Sequence, residues 1–279
     1  MRAVVLAYHA VNIAGNDYGN NDHVTFAADL RLINNLGLRI VPLHWIVAQL
    51  LGHTDHDLSR CVALTCDDGS DFDYFDLDHP QHGPQRSLFN SLIDFRRERG
   101  YDAQPLLHLT DFVIASPEAR SIIDQKCLVG RGWMRDTWWR AARASGLIAI
   151  ENHSWDHNHA ELPRTVQREQ VKGTFHSIDS YADADAEIRQ ASDWLDAHVP
   201  SRNTSLFAYP YGESNDYLVR EYLPQHAHEH RLHAAFGTAP APVEMASNRW
   251  NLPRYICGHH WSTPGDLENL LRDGSRKAA

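Results

Sequence analysis

A chain of 279 residues, 43% of them hydrophobic and 22% charged, is long enough to bury a substantial core in one large α/β domain or two small ones. Its formal charge of -10, with no cluster of Lys and Arg, argues against a nucleic-acid polyanion as the main ligand, and no apolar run is long enough to span a membrane. Four dispersed cysteines without a CxxC spacing exclude a disulfide scaffold and fit a reducing compartment.

The first apolar run, residues 3–8, is too short and too polar-ended for a signal peptide, so it is expected to be the first strand of a cytoplasmic protein. Further strands are expected at 39–42, 61–65, 105–109, 148–152, 206–209, 234–237 and 253–257. Amphipathic patterns between them predict helices over 25–36, 43–51, 86–99, 134–145, 184–198 and 217–223. Gly37, Gly100 and Gly146 follow three of these helices as left-handed C-caps. No linker, repeat or composition break divides the chain, so residues 1–279 are expected to form a single domain. Repeated β-α units imply a mostly parallel sheet, and seven or eight of them suggest a barrel, with its chemistry at the C-terminal ends of the strands.

Two segments fall at such ends and carry metal-binding residue types. Thr65-Cys66-Asp67-Asp68-Gly69 closes the apolar run from Cys61, and His153-Ser154-Trp155-Asp156-His157 closes the run at 148–152. A carboxylate with two neutral imidazoles suits a divalent ion and leaves coordination positions open, as a catalytic rather than a structural site requires. With a spacing of four, His153 and His157 lie either on one face of a helical turn or on a loop that folds back. Cys66 is expected to be a buried strand residue and not a ligand or nucleophile.

These residues resemble the polysaccharide deacetylase family, also called the NodB-homology or carbohydrate esterase family four group. Thr65-Cys66-Asp67-Asp68-Gly69 is similar to its Thr-Phe-Asp-Asp-Gly motif, with Cys in place of Phe, and His153-Ser154-x-x-His157 matches its second motif. Phe207-Ala208-Tyr209-Pro210-Tyr211-Gly212 resembles its third motif in the form used by the poly-N-acetylglucosamine deacetylase branch. Tyr8-His9, the 26–42 segment and Leu252-Pro253-Arg254 extend the likeness to nearly the whole chain.

The resemblance implies an α/β fold, a distorted (β/α) barrel of about seven parallel strands. It implies Asp68, His153 and His157 as metal ligands, Asp67 as the catalytic base, and the backbone N–H of Tyr211 as an oxyanion donor. Zn²⁺ is the expected ion, with Co²⁺ and Ni²⁺ as alternatives, because geometry alone suits several first-row metals. The chemistry agrees: the ion acidifies a water, Asp67 takes its proton during attack on an acetamide carbonyl, and an amine and acetate leave. Ala208 or Tyr209 stands where many relatives have the Arg that orients the base, and Arg254 is the candidate to replace it. The acid that protonates the leaving amine is sought in Gly258-His259-His260-Trp261, with His259 preferred to His260.

The expected function is therefore metal-dependent hydrolysis of N-acetyl groups on an amino sugar or polysaccharide. Alternatives are an O-acetyl esterase or non-sugar amidohydrolase of the same fold, or a non-catalytic carbohydrate-binding relative. Four weaker signals remain. The acidic run Asp71–Asp78 is expected to be a solvated loop or a ligand-binding rim. His226, His228, His230 and His233 are expected at a surface helix end rather than in a second metal site. Trp155 and Trp261 are the tryptophans expected to line the pocket. The oligomeric state is left open.

Overall fold

In a computed structural model the protein is described over residues 1–162, 171–199 and 204–275. Eleven strands form: β1 (Arg2–Tyr8), β2 (Arg39–Ile40), β3 (Cys61–Asp68), β4 (Leu77–His79), β5 (Gly83–Gln85), β6 (Leu109–Val113), β7 (Ile148–Asn152), β8 (Leu206–Ala208), β9 (Ala234–Phe236), β10 (Val243–Glu244) and β11 (Tyr255–Ile256). β1, β3, β6, β7, β8 and β9 run parallel in that order, while β4 and β5 form a separate hairpin. The sheet curls on itself. Leu252 bridges in parallel to Phe236, and β11 pairs with β1, so the 252–256 segment spans the gap between the last long strand and the first. With β11 counted as the seventh member, the distorted barrel of about seven parallel strands is what forms.

Strand alternation sorts the core. Val4, Leu6, Tyr8, Leu64 and Cys66 face the helices Asp22–Asn35 and Leu88–Arg99, meeting Phe26, Leu30, Leu88 and Leu92. The intervening Ala3, Val5 and Ala63 pack instead with Phe112, Ala208, Ala234 and Phe236, gathering contributions from around the curled sheet. Small residues dominate that inner group because a barrel of this size has little room inside. Helix Leu43–Leu50 adds Leu43, Ile46 and Val47 to the same group after β2, whose partners lie at the start of β3. The end of the barrel opposite the C-terminal strand ends is thereby plugged.

Several boundaries differ from expectation for identifiable reasons. The strand expected at 105–109 forms four residues later, after a turn in which Leu107 N–H donates to the Gln104 carbonyl while the Gln104 side chain bonds to Ile40 N–H and the Leu38 carbonyl. The true strand contains Thr110 and Asp111, polar residues that hide it in the sequence. Of the helix expected at 134–145, only Trp139–Ala144 is helical; Arg135 is held out of it by Asp71, and the Met134 carbonyl accepts from Arg120. Helix Pro117–Cys127, with Ser116 capping it and Pro at its first position, and helix Pro264–Ser275 are additional. Gly37, Gly100 and Gly146 all have positive φ, as their positions after helices require.

β7 and β8 share only one register pair, Asn152 with Phe207. Glu151 substitutes for part of the missing ladder, its carboxylate accepting from the N–H groups of Ser205 and Leu206 at 2.8 and 2.9 Å. Among the described residues no helix is long and apolar enough to cross a membrane.

One buried carboxyl ties the first strand, the first helix and the last loop together. Asp29 accepts from Tyr8 at 2.9 Å, Tyr18 at 2.6 Å and the Trp261 indole at 3.1 Å. Burial raises its pKa to about 7 despite these three donors. The folded state then holds a proton that the unfolded chain has released, so this group lowers stability as pH rises from about 4 to about 7. We expect Asp29→Asn to remove that slope, with a gain relative to wild type on the order of 2–4 kcal/mol at pH 8 and little difference at pH 4, read by urea unfolding at each pH.

Candidate metal centre and active site

The C-terminal rim of the barrel holds a cleft of about 450 Å³ lined by His9, Asp67, Asp68, His153, His157, Tyr211, Gly212, Thr238, Ile256 and His259. Its floor begins at β3, which continues through both aspartates instead of stopping at Thr65. Alternation sends the two carboxylates different ways. Asp68, the last residue of the strand, has φ +82°, a left-handed conformation that non-glycine residues rarely adopt, and it is followed by Gly69 at φ +75°. A Cβ on Gly69 would lie 2.6 Å from the Val113 side chain, which explains the glycine.

His153 and His157 come together on a loop, so the helical-turn alternative does not hold. Ser154, His157 and Asn158 all have positive φ. The loop is fastened on several sides: Ser154 N–H donates to the Asn152 side chain, His157 N–H to the Ser154 hydroxyl, and Trp155 N–H to the Glu187 carbonyl. Asn152 is itself anchored to the Ile188 carbonyl and to Ser192 on the following helical run.

His153 Nδ1 lies 2.9 Å from the Ala208 carbonyl, which can only accept, so the ring proton sits on Nδ1 and the Nε2 lone pair is free. The Nε2 atoms of His153 and His157 lie 3.6 and 3.7 Å from Asp68 Oδ1. These separations are too long for hydrogen bonds, whereas two ligands at roughly 2.1 Å on a tetrahedral ion stand about 3.4 Å apart. Burial pushes both imidazoles below the usual histidine range, which keeps their lone pairs available near neutrality. Asp68, His153 and His157 thus fit a divalent ion in both spacing and protonation.

Asp67 points to a different partner. Arg254, fully buried, donates from Nη1 to Oδ1 at 2.7 Å and from Nη2 to Oδ2 at 2.8 Å. The same guanidinium reaches Thr65 Oγ1 at 3.2 Å and the Gly237 carbonyl at 3.1 Å, and the Thr65 hydroxyl donates to the Leu6 carbonyl. Burial alone would raise the Asp67 pKa, but Arg254, with a contribution from His153, holds it well below the ordinary carboxylate range. The side chain is ionised at every pH at which the protein is expected to work.

Tyr211 follows β8 with φ +57°, and its half-exposed ring packs edge-on against His157 at 4.4 Å between centroids. Gly212 is required behind it, since a Cβ there would sit 2.2 Å from Thr238. Of the paired histidines after β11, His259 lines the cleft, while His260 accepts from Ile256 N–H through Nδ1 and does not. His9, at the end of β1, also lines the cleft, and its buried Nδ1 has no hydrogen-bond partner among the described residues. Sequence reasoning had no role for it, although its position at a strand end beside Tyr8 was the available signal.

Other expectations are corrected. Trp261 is buried and hydrogen-bonded to Asp29, and Trp155 packs edge-on against Trp194, so neither lines the cleft. The acidic run is not uniformly solvated: Asp71 and Asp73 are fully buried, and Asp76 pairs with Arg86. Phe72 from this stretch and His79 just after it line a second cleft of about 350 Å³ with Val11, Ile13 and Trp133. His226 pairs with Glu229, while His230 is buried against the Leu223 carbonyl; among the described residues these histidines form no metal-ligating group. Cys66 is fully buried, as expected.

Residues 107–229 match the family described as polysaccharide deacetylase, a span that contains the histidine and Tyr211 motifs but not the Asp67-Asp68 pair. No curated protein matches the chain. Among solved structures the fold is similar to the Streptococcus pyogenes deacetylase PplD in complex with acetate, at 17% identity and a TM-score of 0.61 over 97% of this chain and 98% of that one. It is likewise similar to IcaB from Ammonifex degensii, at 19% identity and a TM-score of 0.61 over 99% and 97%. A de-N-acetylase from Aggregatibacter actinomycetemcomitans aligns at 14% identity and a TM-score of 0.62 over 97% and 100%. The match of residues 107–229 to the polysaccharide deacetylase family thus lies inside a barrel of the fold that these solved structures share.

Proposed function

We propose that the protein is a metal-dependent N-deacetylase acting on an N-acetylated amino sugar or polysaccharide. The observation that carries this reading is the placing of two unlike carboxylates in one cleft: Asp68 converges with His153 and His157, while Asp67 is held apart by Arg254. The likeness in fold to a de-N-acetylase supports the choice of an amide substrate.

Asp68, His153 and His157 would hold the divalent ion, with Zn²⁺, Co²⁺ or Ni²⁺ compatible with their donor set. Bound there, the ion supplies Lewis acidity, lowering the pKa of a water and polarising the acetyl carbonyl. Asp67 accepts the proton of the attacking water. Each of its oxygens has one lone pair engaged by Arg254 and another free to accept, so the bidentate clamp orients the carboxylate without blocking it. The Tyr211 N–H donates to the developing oxyanion, and its ring forms one wall of the cleft beside His157. His259, which also lines the cleft, delivers a proton to the departing amine. The same water attack would serve an O-acetyl ester or a non-sugar amide, and a substrate panel separates these.

Acetate release from chito-oligosaccharides or poly-N-acetylglucosamine fragments should stop on chelation and return with added Zn²⁺ or Co²⁺. Asp67→Asn should retain the ion and lower kcat by about 10²–10⁴-fold; unimpaired turnover in this variant, or no release from any acetylated substrate, would reject the reading. Arg254 is a positioning residue, so Arg254→Met should do two things. It should destabilise the fold by about 3–5 kcal/mol as an uncompensated buried charge remains. It should also move the acid limb of the kcat/KM profile to higher pH, because Asp67 loses the guanidinium that depresses its pKa; Arg254→Lys should partly restore both. His259→Ala should slow amide hydrolysis much more than hydrolysis of an acetyl ester with a good leaving group, whereas His260→Ala should leave both rates within about threefold.

A further inference from the structure

A second group of ligand-type side chains lies outside the cleft, on the helix-facing side of the sheet. Cys66 on β3 and Asp111 on β6 are register partners, and Asp73 comes from the short helical turn Asp71–Asp73 after the first motif. All three are fully buried, and one donor atom from each lies within 4.8 Å of the others. Cys66 Sγ stands 3.1 Å from Asp73 Oδ1. Beyond that contact the polar atoms are unsatisfied: neither oxygen of Asp111 has a hydrogen-bond partner, nor does Asp73 Oδ2. The hydroxyl of Ser70 is buried beside Asp73.

Buried carboxylates are ordinarily met by donors or cations, and an unpaired one is among the costliest groups a core can hold. No Lys or Arg among the described residues pairs with Asp73 or Asp111; the nearby guanidinium of Arg135 is committed to Asp71, and that of Arg254 to Asp67. An apolar pair of side chains would fill this space between sheet and helix at far lower cost. Three acidic ligand types, from two adjacent strands and a turn, instead leave three carboxylate oxygens without a donor. The structure assigns these residues to a second, buried divalent-cation site, with Cys66, Asp73 and Asp111 as ligands and Ser70 as a fourth oxygen. A thiolate with carboxylates favours a borderline ion, Zn²⁺ in the cell and Co²⁺ as its spectroscopic substitute, over Mg²⁺ or Ca²⁺. Binding forms one metal–sulfur bond and metal–oxygen bonds to Asp73 and Asp111, and releases to solvent the thiol proton and the protons that burial keeps on the two carboxyls; no redox change is involved.

Because the cleft ligands contain no sulfur, the two sites are separable by spectroscopy. The full chain carrying His153→Ala and His157→Ala, produced with Co²⁺ and dialysed against chelator to clear the cleft and surface histidines, should keep about one cobalt per chain and show a thiolate-to-cobalt charge-transfer band in the near ultraviolet. Cys66→Ser in that background should abolish the band and Asp111→Asn should lower the retained cobalt at least tenfold, while Cys127→Ser, at an exposed cysteine, should change neither. Cobalt-free protein with its native fold intact by circular dichroism would overturn the assignment, because the cluster would then be neutralised by protons alone. A band that disappears with Cys127→Ser and survives Cys66→Ser would overturn it as well. The parent protein gives a decisive result even if the Cys66 and Asp111 variants do not fold.

Discussion

The Asp67–Arg254 pair is the contact on which the rest of the rim depends. Arg254 belongs to the short segment that closes the barrel between β9 and β11, and Asp67 lies near the end of β3. One guanidinium therefore joins the closing segment to the strand that carries both aspartates, and a carbonyl from the β9 side, Gly237, completes its coordination. Two charges placed in a dry interior are tolerable only when the geometry is close and further hydrogen bonds support them, and here all three guanidinium nitrogens of Arg254 donate. The pair serves the barrel as a seam and the chemistry as a clamp.

From that clamp follows the division of labour between adjacent aspartates. Nothing in the residue type separates Asp67 from Asp68. Strand alternation does: the first turns toward the barrel interior and meets Arg254, and the second, at positive φ, turns toward the two imidazoles. The Asp68 carboxylate oxygen then stands at ion-sharing distance from His153 and His157, while Asp67, already neutralised by Arg254, competes poorly for the same ion. The histidine loop shows the same economy of means, with three left-handed residues folding it back so that Nε2 atoms four residues apart face one carboxylate.

Much of this was legible in the sequence because short motifs at strand ends combine two independent signals, an apolar run and a set of ligand types. Strand positions at 3–8, 148–152 and 206–209 follow from hydrophobicity alone, and the choice of Arg254 to replace the third-motif arginine agrees with where its side chain lies. Legibility failed where buried polar residues interrupt the pattern. Asp111 and Thr110 disguise β6, Asp71 pulls Arg135 out of the expected helix, and Asp71 and Asp73 lie buried in a run whose composition suggests solvent. Trp261 was misplaced for a related reason: its indole has a buried acceptor in Asp29, a partner 232 residues away in sequence. His9 entered the sequence reading only as part of Tyr8-His9 and without a role, because a single histidine at a strand end has no spacing pattern to mark it.

The single register pair between β7 and β8 has a mechanical consequence. β1, β3 and β6 are laced by several consecutive pairs, so the aspartate side of the cleft sits on the stiff half of the barrel. Tyr211 and Gly212 follow β8, whose grip on β7 is one pair plus the two bonds accepted by Glu151. The Tyr211 wall of the cleft therefore rests on fewer inter-strand pairs toward β7 than the wall that carries the two carboxylates has with its neighbours.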